Sequence, residues 1–521
     1  MSGRQQARRA PTFLALAAVA LPFGMLLARL VAEPPTPVHL SADFALTELA
    51  AREAAEGTRL LGPWSRFGWN HPGPAYFYVL APFYGLGGGS RGLYAGALVV
   101  NLAAALSTVA VAARRGGRGA AMAAALVVLA FAHAVGAQRL RDLWNPFVIA
   151  LPTLLFVVLC AAALTGSRLS LGAAAVVGSF VAHTHVGTAP FVAALLAVTA
   201  VVRWRWATRR SRREPAAPVR GKLAALALVA LLVAVWSPPL VEQLTAPSGN
   251  LSELARFAVA RQPGHPLGEA AAGWTAAITV VPFGLASTHE LPAGTSVPRL
   301  LGVAAWLAAA VACIAVGRVR GNRFAVALGG SSVLGAAVCG VLVTRVAGPL
   351  LGYVLYWMAA VPLAAWVGVV AMLAEPGQPG RVSRAAVRGV PLLAVAGLAV
   401  ALTASAARVE PVSELSDERV ATVVDLVDRR VDLSDGGQVV VGIATHGHGI
   451  WILMAGVVNE LDRRGADVSV SRWLDRYSER FRPSGGEELE VLLGRVGAVD
   501  PDLTVGARWV GRAGNTEVFF R

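Results

Sequence analysis

Long apolar segments recur along this chain and constrain its fold more than any other feature. A helix of about 20 residues rises about 30 Å, which matches the hydrocarbon thickness of a bilayer. Eleven such segments occur, at about residues 11–32, 91–113, 119–137, 145–165, 169–187, 188–203, 222–240, 297–316, 323–345, 350–373 and 388–407. Only 15% of the residues are charged, against about 25% in soluble domains. The sequence therefore predicts an α-helical polytopic membrane protein with about 11 transmembrane helices, and it excludes a soluble enzyme.

The charge of the loops between these segments predicts the orientation. Basic residues cluster in alternate loops, at residues 4–9, 114–118, 168, 203–222, 318–323 and 381–388. The positive-inside rule assigns such loops to the cytoplasm. We therefore predict a multi-pass protein of the cell (plasma) membrane with a cytoplasmic N-terminus and an extracytoplasmic C-terminal region. The formal charge of +15 then reflects topology, and no nucleic-acid partner is expected.

Acidic residues avoid the apolar segments. Twelve Asp and Glu precede residue 409, and none lies in the middle of a predicted span. Ion-coupled transporters commonly place ionisable side chains near the bilayer midplane. This distribution argues against proton or cation transport and favours chemistry at the outer membrane face. The first segment also resembles a signal peptide in its basic start, but it is long and has no convincing small-x-small cleavage site.

Three regions lie outside the predicted spans. The transmembrane domain, residues 1–408, contains a first extracytoplasmic loop at 33–90 and a second at 241–296. In the first loop, Ser41 is expected to cap a short helix. An aromatic run, PAYFYVLAPFYGL, follows it and is too short to span, so we interpret it as an interfacial or re-entrant helix. The second loop contains another short, partly embedded helix.

Residues 409–521 are predicted to form a soluble extracytoplasmic α/β domain. The runs SDERVATVVDLVDRRV and GIWILMAGVVNELDRRG have helical patterns, whereas QVVVGIA, DVSVS and TEVFF have strand patterns. A third helix is expected between the last two strands. The region carries 13 Arg and 19 acidic residues, a net charge of −6. About 110 residues are enough for a hydrophobic core of their own.

The first outer loop contains the strongest cluster of residues that could carry chemistry. Asp43 and Glu48 lie on the predicted short helix, and Arg66 and His71 precede the aromatic run. A carboxylate at a membrane surface can take a proton from a hydroxyl as general base. Cationic or hydrogen-bonding neighbours can bind an anionic leaving group. The alternative is a solvated helix face on which the helix dipole favours Asp43.

Arginines at the predicted outer ends of spans are candidates for binding a lipid phosphate. Arg139 and Arg141 flank Asp142, a further candidate acid, and Arg345 precedes Tyr353. The planar guanidinium of arginine makes paired hydrogen bonds to phosphate. Ordinary snorkelling to the headgroups is the alternative explanation.

Two histidines lie at the outer end of another span. His183 and His185 are two residues apart, so they do not share a helix face, and a metal pair is disfavoured. A polar site on unwound backbone is the more plausible function for them. The three cysteines lie within apolar runs and are expected to be small core residues.

The order of these motifs resembles that of the GT-C membrane glycosyltransferases, in particular the protein O-mannosyltransferase and aminoarabinose-transferase branch. The resemblance covers about residues 10–200 and rests on the early Asp43, the entry His71-Pro72-Gly73-Pro74-Ala75-Tyr76-Phe77, and the run RLRDLWNPF. It implies a GT-C-like fold and transfer of a sugar from a polyprenyl-phosphate donor to a glycan or protein acceptor. By this resemblance Asp43 is the catalytic base.

The run RLRDLWNPF departs from the family pattern. Asn145 stands where the family has an acid, and Asp142 lies three residues earlier. An amide accepts hydrogen bonds but does not ionise. No obligatory metal is therefore predicted, and a divalent metal remains a doubtful alternative.

These observations predict a membrane glycosyltransferase whose partners are a polyprenyl-phosphate sugar, membrane lipid and a glycan or protein acceptor. The candidate catalytic residues are Asp43, Glu48 and Asp142. The candidate substrate and phosphate ligands are Arg66, His71, Arg139, Arg141, Asn145, His183, His185, Arg345 and Tyr353. Two alternatives remain: a non-catalytic lipid- or glycan-binding assembly protein, and a lipid or solute transporter. A continuous cavity reaching the cytoplasmic face would favour transport.

Overall fold

Helices make up most of the chain. The computed structural model describes residues 3–86, 88–209, 219–260, 262–284, 289–292, 294–374, 383–431, 433, 437–446, 448–471, 476–483 and 489–521. The helices up to residue 406 are α1 Gly3–Ala32, α2 Ala42–Ala55, α3 Ala75–Leu86, α4 Ser90–Val135, α5 Asn145–Val148, α6 Ala150–Leu164, α7 Arg168–Thr184, α8 Ala189–Arg209, α9 Val219–Thr245, α10 Asn250–Val259, α11 Leu267–Ile278, α12 Val280–Phe283, α13 Val297–Val319, α14 Arg323–Val343, α15 Gly352–Leu355, α16 Ala360–Ala374 and α17 Ser383–Ala406.

Eight helical segments within the described residues are long and apolar enough to cross a membrane. They are Ala10–Ala32, Ser90–Val135, Asn145–Leu164, Val186–Trp206, Gly221–Thr245, Val297–Val319, Arg323–Val343 and Gly352–Ala374. Each coincides with one or more of the apolar segments identified in the sequence. The chain is therefore a multi-pass membrane protein.

Helix α4 consists of two helical segments that meet at a kink, and they coincide with the predicted spans 91–113 and 119–137. Its 46 residues would rise about 69 Å as a straight helix, twice the hydrocarbon thickness of a bilayer. Gly117 interrupts it with φ 73° and ψ −159°, a conformation outside the helical region. The predicted spans at 169–187 and 388–407 correspond to α7 and α17. Neither is counted among the eight candidate spans, so the count of eleven stays a prediction.

The membrane helices pack around one large apolar core. Helix α1 packs against α4 and α17, and α16 packs against α4, α6, α13 and α14. Cys160, Cys313 and Cys339 are all fully buried and unpaired in a disulfide, as expected for core residues. The outward-facing side chains of α9 and α13 include many exposed leucines and valines, which is typical of surfaces that contact lipid.

The two loops predicted to be extracytoplasmic are bonded to each other. The first loop contains α2 and the aromatic helix α3, at the positions the sequence predicts. The side chain of Asn250, at the start of α10, accepts a hydrogen bond from the Asn70 backbone N–H at 2.9 Å and donates one to the Asn70 carbonyl at 3.0 Å. Phe257 of α10 contacts the rings of Phe67 and Trp69, with centroids 5.0 Å and 5.1 Å apart.

The C-terminal region forms a mixed five-stranded sheet with two helices. Its elements are α18 Glu418–Asp428, β1 Gln438–Ile443, α19 Trp451–Arg463, β2 Asp467–Val470, β3 Leu489–Arg495, β4 Arg508–Ala513 and β5 Thr516–Phe520. The strand order is β2-β1-β3-β5-β4. β1 runs parallel to β2 and β3, whereas β5 runs antiparallel to β3 and β4.

The prediction of a helix between DVSVS and TEVFF is wrong. The described residues there form short 3₁₀ turns and two strands, β3 and β4. β3 is a central strand, and Val491, Leu492, Leu493 and Gly494 are buried in succession. A strand covered on both faces has a continuous apolar run, which periodicity cannot distinguish from a buried helix.

Helix α2 is the element on which the C-terminal domain sits. α19 packs along it, and Leu49 lies within the hydrophobic core of the domain. Gly456 permits the close approach, because a Cβ there would lie 2.7 Å from the Leu40 carbonyl oxygen. Arg52 Nη2 lies 2.7 Å from Asp462 Oδ2 across this contact. The last part of the chain is therefore packed directly against the loop that carries the predicted base.

Candidate functional site

Asp43 lies in the first turn of α2, directly after a strained residue. Ala42 has φ 51°, a value that residues other than glycine, asparagine and aspartate rarely adopt. Such strain tends to occur at functional sites. Ser41 is the N-cap residue as predicted, but its side chain makes no capping hydrogen bond. The Asp43 carboxylate is partly buried, and its Oδ2 accepts a hydrogen bond from Trp144 Nε1 at 2.9 Å.

Asp142 holds Trp144 in place. Its Oδ1 accepts a hydrogen bond from the Trp144 backbone N–H at 3.0 Å, and its Oδ2 accepts one from Arg139 Nη1 at 2.7 Å. The Arg139 guanidinium lies 4.2 Å from the centroid of the Phe147 ring. The motif RLRDLWNPF therefore forms a tight turn that presents the indole N–H to Asp43. In this arrangement Asp142 and Arg139 act on Asp43 through Trp144.

Asp43 lines a narrow cavity of about 30 Å³. Asn145, Arg59 and Trp64 line it from the membrane part of the chain, and Arg476 lines it from the C-terminal domain. Asn145 also donates a hydrogen bond from Nδ2 to the Thr184 carbonyl at 2.9 Å. Two acids, Asp43 and Glu53, one amide and two cations therefore face a space large enough for a water molecule or two.

Burial raises the pKa of Asp43 above its ordinary value of 3.8, whereas the Trp144 hydrogen bond and the Arg476 charge oppose this shift. A general base works best when its pKa is not far below the working pH. The surroundings of Asp43 therefore strengthen it as a base while keeping the carboxylate paired with a donor.

Arg476 was not predicted from the sequence. Its guanidinium lies 4.2 Å from the ring centroid of Trp64 and 4.6 Å from that of Trp451. These two aromatic rings, one from each part of the molecule, hold the cation over the cavity. The only sequence signal is the mixture of arginines and aromatic residues in SRWLDRYSERF, which is not specific for a site.

The three candidate histidines are buried together. The His71 and His185 rings stack with centroids 5.2 Å apart, and His71 Nδ1 accepts a hydrogen bond from the Val186 N–H at 3.1 Å. Burial holds the pKa of His71 well below its usual range, so the ring is neutral. His183 is fully buried against Gly73, where a Cβ would lie 2.3 Å from its Nδ1. Neutral buried rings pack the loop and offer no cation to a phosphate.

Arg141 joins distant segments. It is almost fully buried, with Nη1 3.6 Å from Glu33 Oε1, and it donates to Gln138 Oε1 at 3.2 Å and to the Glu410 carbonyl. These contacts connect the end of α1 to the start of the C-terminal domain. Both terminal nitrogens, Nη1 and Nη2, already have protein partners, which leaves little capacity for a lipid phosphate.

Glu48 also lies in the contact with the C-terminal domain. It is fully buried and accepts hydrogen bonds from Ser90 Oγ at 2.8 Å and Tyr84 Oη at 3.2 Å. Arg463 of α19 lies 3.7 Å away. Glu48 is not among the described residues that line the cavity of Asp43, so these two acids of α2 act in different places.

Arg345 and Tyr353 follow α14 in the chain, and Arg66 of the first loop reaches the turn after this helix. Arg66 Nη2 donates to the Ala347 carbonyl at 3.2 Å. Arg345 is exposed at the start of this turn. The Tyr353 ring lies 4.6 Å from the Trp144 ring. Of these three residues, Tyr353 contacts the Asp43–Trp144 pair through the indole.

The described residues contain no group of three His, Cys, Asp or Glu side chains placed to hold a metal ion. The charged and amide groups at the cavity are two carboxylates, one amide and two guanidinium groups, and Glu53 Oε2 lies 3.0 Å from Arg59 Nη1.

Two solved structures share this architecture over nearly the whole chain. One is ArnT, an aminoarabinose transferase, from Cupriavidus metallidurans, bound to undecaprenyl phosphate: 14% identity, 98% of this chain and 97% of that chain, TM-score 0.54. The same protein in the apo state gives 14% identity, 98% of both chains and a TM-score of 0.56. The chain has a GT-C fold. The GT-C fold extends over the membrane helices and the C-terminal domain, well beyond the motifs of residues 10–200.

A weaker likeness concerns the archaeal oligosaccharyltransferase AglB from Archaeoglobus fulgidus, in complex with an inhibitory peptide and a dolichol-phosphate. It has 13% identity, 85% coverage of this chain, 63% of its own, and a TM-score of 0.38, which is too low to establish a shared fold. No family model and no curated protein matches the sequence. The GT-C fold is therefore recognised from structure and motif order.

Proposed function

We propose that this protein is a membrane glycosyltransferase that moves a sugar from a polyprenyl-phosphate carrier to an acceptor hydroxyl at the outer membrane face. One observation carries the proposal: the Asp43 carboxylate, oriented by Trp144, lines a cavity together with Arg476 and Arg59. A base and phosphate-binding cations at one place are what this reaction needs. The fold shared with ArnT, solved with undecaprenyl phosphate bound, supports the carrier assignment.

In the proposed reaction Asp43 takes the proton of the acceptor hydroxyl. The hydroxyl oxygen then forms a bond to the anomeric carbon of the sugar, and the bond from that carbon to the phosphate oxygen breaks. The electron pair of the broken bond stays on the carrier phosphate, where arginine side chains stabilise the negative charge. Trp144 occupies Oδ2 of Asp43, which leaves Oδ1 to accept the proton.

Arg476 is the proposed principal phosphate ligand. Arg59 already pairs with Glu53, with Nη1 3.0 Å from Oε2, and it also donates to two backbone carbonyls. Its charge is therefore partly neutralised. Arg476 lines the same cavity, and the Trp64 and Trp451 rings hold its guanidinium in place. Arg345, exposed on the turn after α14, remains a candidate for meeting the carrier before it enters.

The donor and acceptor need more room than the present cavity of about 30 Å³. Tyr477, Ser478 and Phe481 of the C-terminal domain line it alongside Asp43. Ser478 Oγ donates to Glu53 Oε1 at 2.5 Å, which ties this segment to α2. We propose that the segment at 476–481 moves outward when substrates bind and returns to exclude water during transfer.

The test is Asp43→Asn in proteoliposomes supplied with radiolabelled polyprenyl-phosphate sugars. Loss of a general base lowers the transfer rate by about 10²–10⁴-fold. Glu56→Gln is the matched control, because Glu56 is an exposed acid at the other end of α2 and should transfer at the parent rate. Equal rates for Asp43→Asn and the parent would show that Asp43 is not the base. A parent protein that binds the carrier but transfers no sugar would favour the non-catalytic assembly role.

A further inference from the structure

A second and much larger cavity lies at the opposite end of α6 from Asn145. Its volume is about 1180 Å³, somewhat above the usual range of small-molecule pockets. It is formed where the ends of α6, α7 and α13 meet α8 and α14. Among the described residues it shares no lining side chain with the Asp43 cavity. The two spaces are therefore separate in this structure.

The walls of this groove are apolar and its rim is basic. Four arginines belong to the lining: Arg168, Arg203, Arg318 and Arg323. The walls between them are formed by Leu195, Val198, Val202, Val326 and Leu334. No Asp or Glu is found among the described residues that line it. Apolar walls below a cluster of cations fit a ligand with an anionic head and a hydrocarbon body.

Two of the four arginines occupy positions that the helices themselves disfavour. Arg168 is the first residue of α7 and Arg323 the first residue of α14. The partial positive charge of a helix N-terminus repels a cation at that position. An anion between the two helix starts would be attracted by the guanidinium groups and by both helix dipoles. An anionic ligand bound here would offset the unfavourable interaction of these two arginines with the helix dipoles.

A buried hydroxyl in the wall points to the same conclusion. Ser331 lines the cavity and is 3% exposed, and its Oγ has no hydrogen-bond partner within the part of the chain described. Buried hydroxyls are normally paired. Ser331 lies eight residues after Arg323 on α14, or about 12 Å along the helix axis. A ligand that reaches both residues is elongated, which excludes free phosphate as the natural occupant.

We propose that this groove binds one anionic phospholipid. The phosphate lies at the arginine rim, the acyl chains follow α8 and α14, and an ester oxygen of the lipid accepts a hydrogen bond from the Ser331 hydroxyl. All four arginines belong to loops that the positive-inside rule assigns to the cytoplasm. Anionic lipids are enriched in that leaflet, and basic pockets between helices bind their headgroups.

The test is native mass spectrometry of the purified full-length protein after exchange into equimolar phosphatidylglycerol and phosphatidylcholine. The parent should retain one phosphatidylglycerol in preference to phosphatidylcholine. Arg168→Gln/Arg323→Gln should lower its occupancy roughly tenfold, with no loss of thermal stability in the lipid-free protein. Arg118→Gln is the control, because Arg118 is an exposed arginine on the same predicted face but outside the groove.

A second variant fills the cavity and leaves every charge in place. Gly330 lines the groove, and a Cβ there would meet nothing within 4 Å. Gly330→Leu should therefore fold, since leucine also favours a helix more than glycine does, but it should exclude the acyl chains. Equal retention of the two lipids by the parent, or equal losses in Arg118→Gln and the double variant, would overturn the proposal. Displacement of phosphatidylglycerol by polyprenyl phosphate would do the same, because the groove would then be a carrier site.

Discussion

Two neighbours control the base strength of Asp43. Trp144 donates a hydrogen bond to its carboxylate and Arg476 places a positive charge near it, and both lower its pKa against the larger effect of burial. Trp144→Phe and Arg476→Gln each remove one of these effects, so each variant should raise the pKa of Asp43 further. Because the base must be deprotonated, the acidic limb of kcat/KM should move to higher pH in both variants. The measurement is the pH profile of sugar transfer across the acidic range.

Arg482→Gln provides the control for this experiment. Arg482 lies in the same segment as Arg476 but is exposed and pairs with Glu479 at 2.7 Å. Its pH profile should match that of the parent. An acidic limb that stays fixed or moves to lower pH in Trp144→Phe and Arg476→Gln would mean that a different group sets the profile.

Sequence reasoning at this scale found residues close to recognisable motifs. Asp43 stands out as an acid in the first turn of a helix just after a span, and Asn145 as a departure from a family pattern. The order of motifs along the chain does not show which side chains form hydrogen bonds with each other in the folded protein. Asp142 was therefore predicted as a catalytic acid, although its oxygens bind Trp144 and Arg139. Arg476 lacked any local pattern, because its partners come from remote parts of the chain.

The contact between α2 and α19 depends on a buried carboxylate. Glu48 is fully buried with hydrogen bonds from Ser90 and Tyr84, and Arg463 lies beside it. Glu48→Ala leaves these donors without their acceptor, which should lower the free energy of unfolding by about 1–3 kcal/mol. Glu48→Gln keeps an acceptor oxygen for Ser90 and should be destabilised less. Thermal unfolding of the purified protein provides the measurement, and an alanine variant as stable as the parent would contradict this interpretation.

Long, strongly apolar elements were predicted well, and short or doubly buried ones were not. The apolar segments, α2, α3 and the strands β1, β2 and β5 follow directly from periodicity and from their flanking residues. The sequence predicts a helix in place of β3 because four consecutive residues of this strand are buried and form an unbroken apolar run. The two spans predicted at 91–113 and 119–137 meet at Gly117 in a kink, and residue types alone do not determine its backbone angles.

The orientation of the whole molecule is open to a direct test. The three native cysteines are fully buried, so single exposed cysteines can be introduced without interference from them. Glu479→Cys lies in the C-terminal domain, where the Glu479 side chain is 78% exposed. Arg118→Cys lies at an exposed position in a predicted cytoplasmic loop. In intact cells a membrane-impermeant maleimide should label Glu479→Cys only, and Arg118→Cys should react only after permeabilisation; the reverse pattern would invert the topology.

The residues that line the Asp43 cavity are synthesised at very different times. Asp43 and Arg476, which line the same cavity, are separated by 433 positions in the chain. At about 5–20 residues per second, a ribosome needs about 20–90 s to travel from one to the other. Throughout that interval the nascent protein contains Asp43 and Arg59 but lacks Arg476 and the other residues of the C-terminal domain that line the cavity. A chain released early therefore lacks both, and the pocket is completed only when translation is nearly finished.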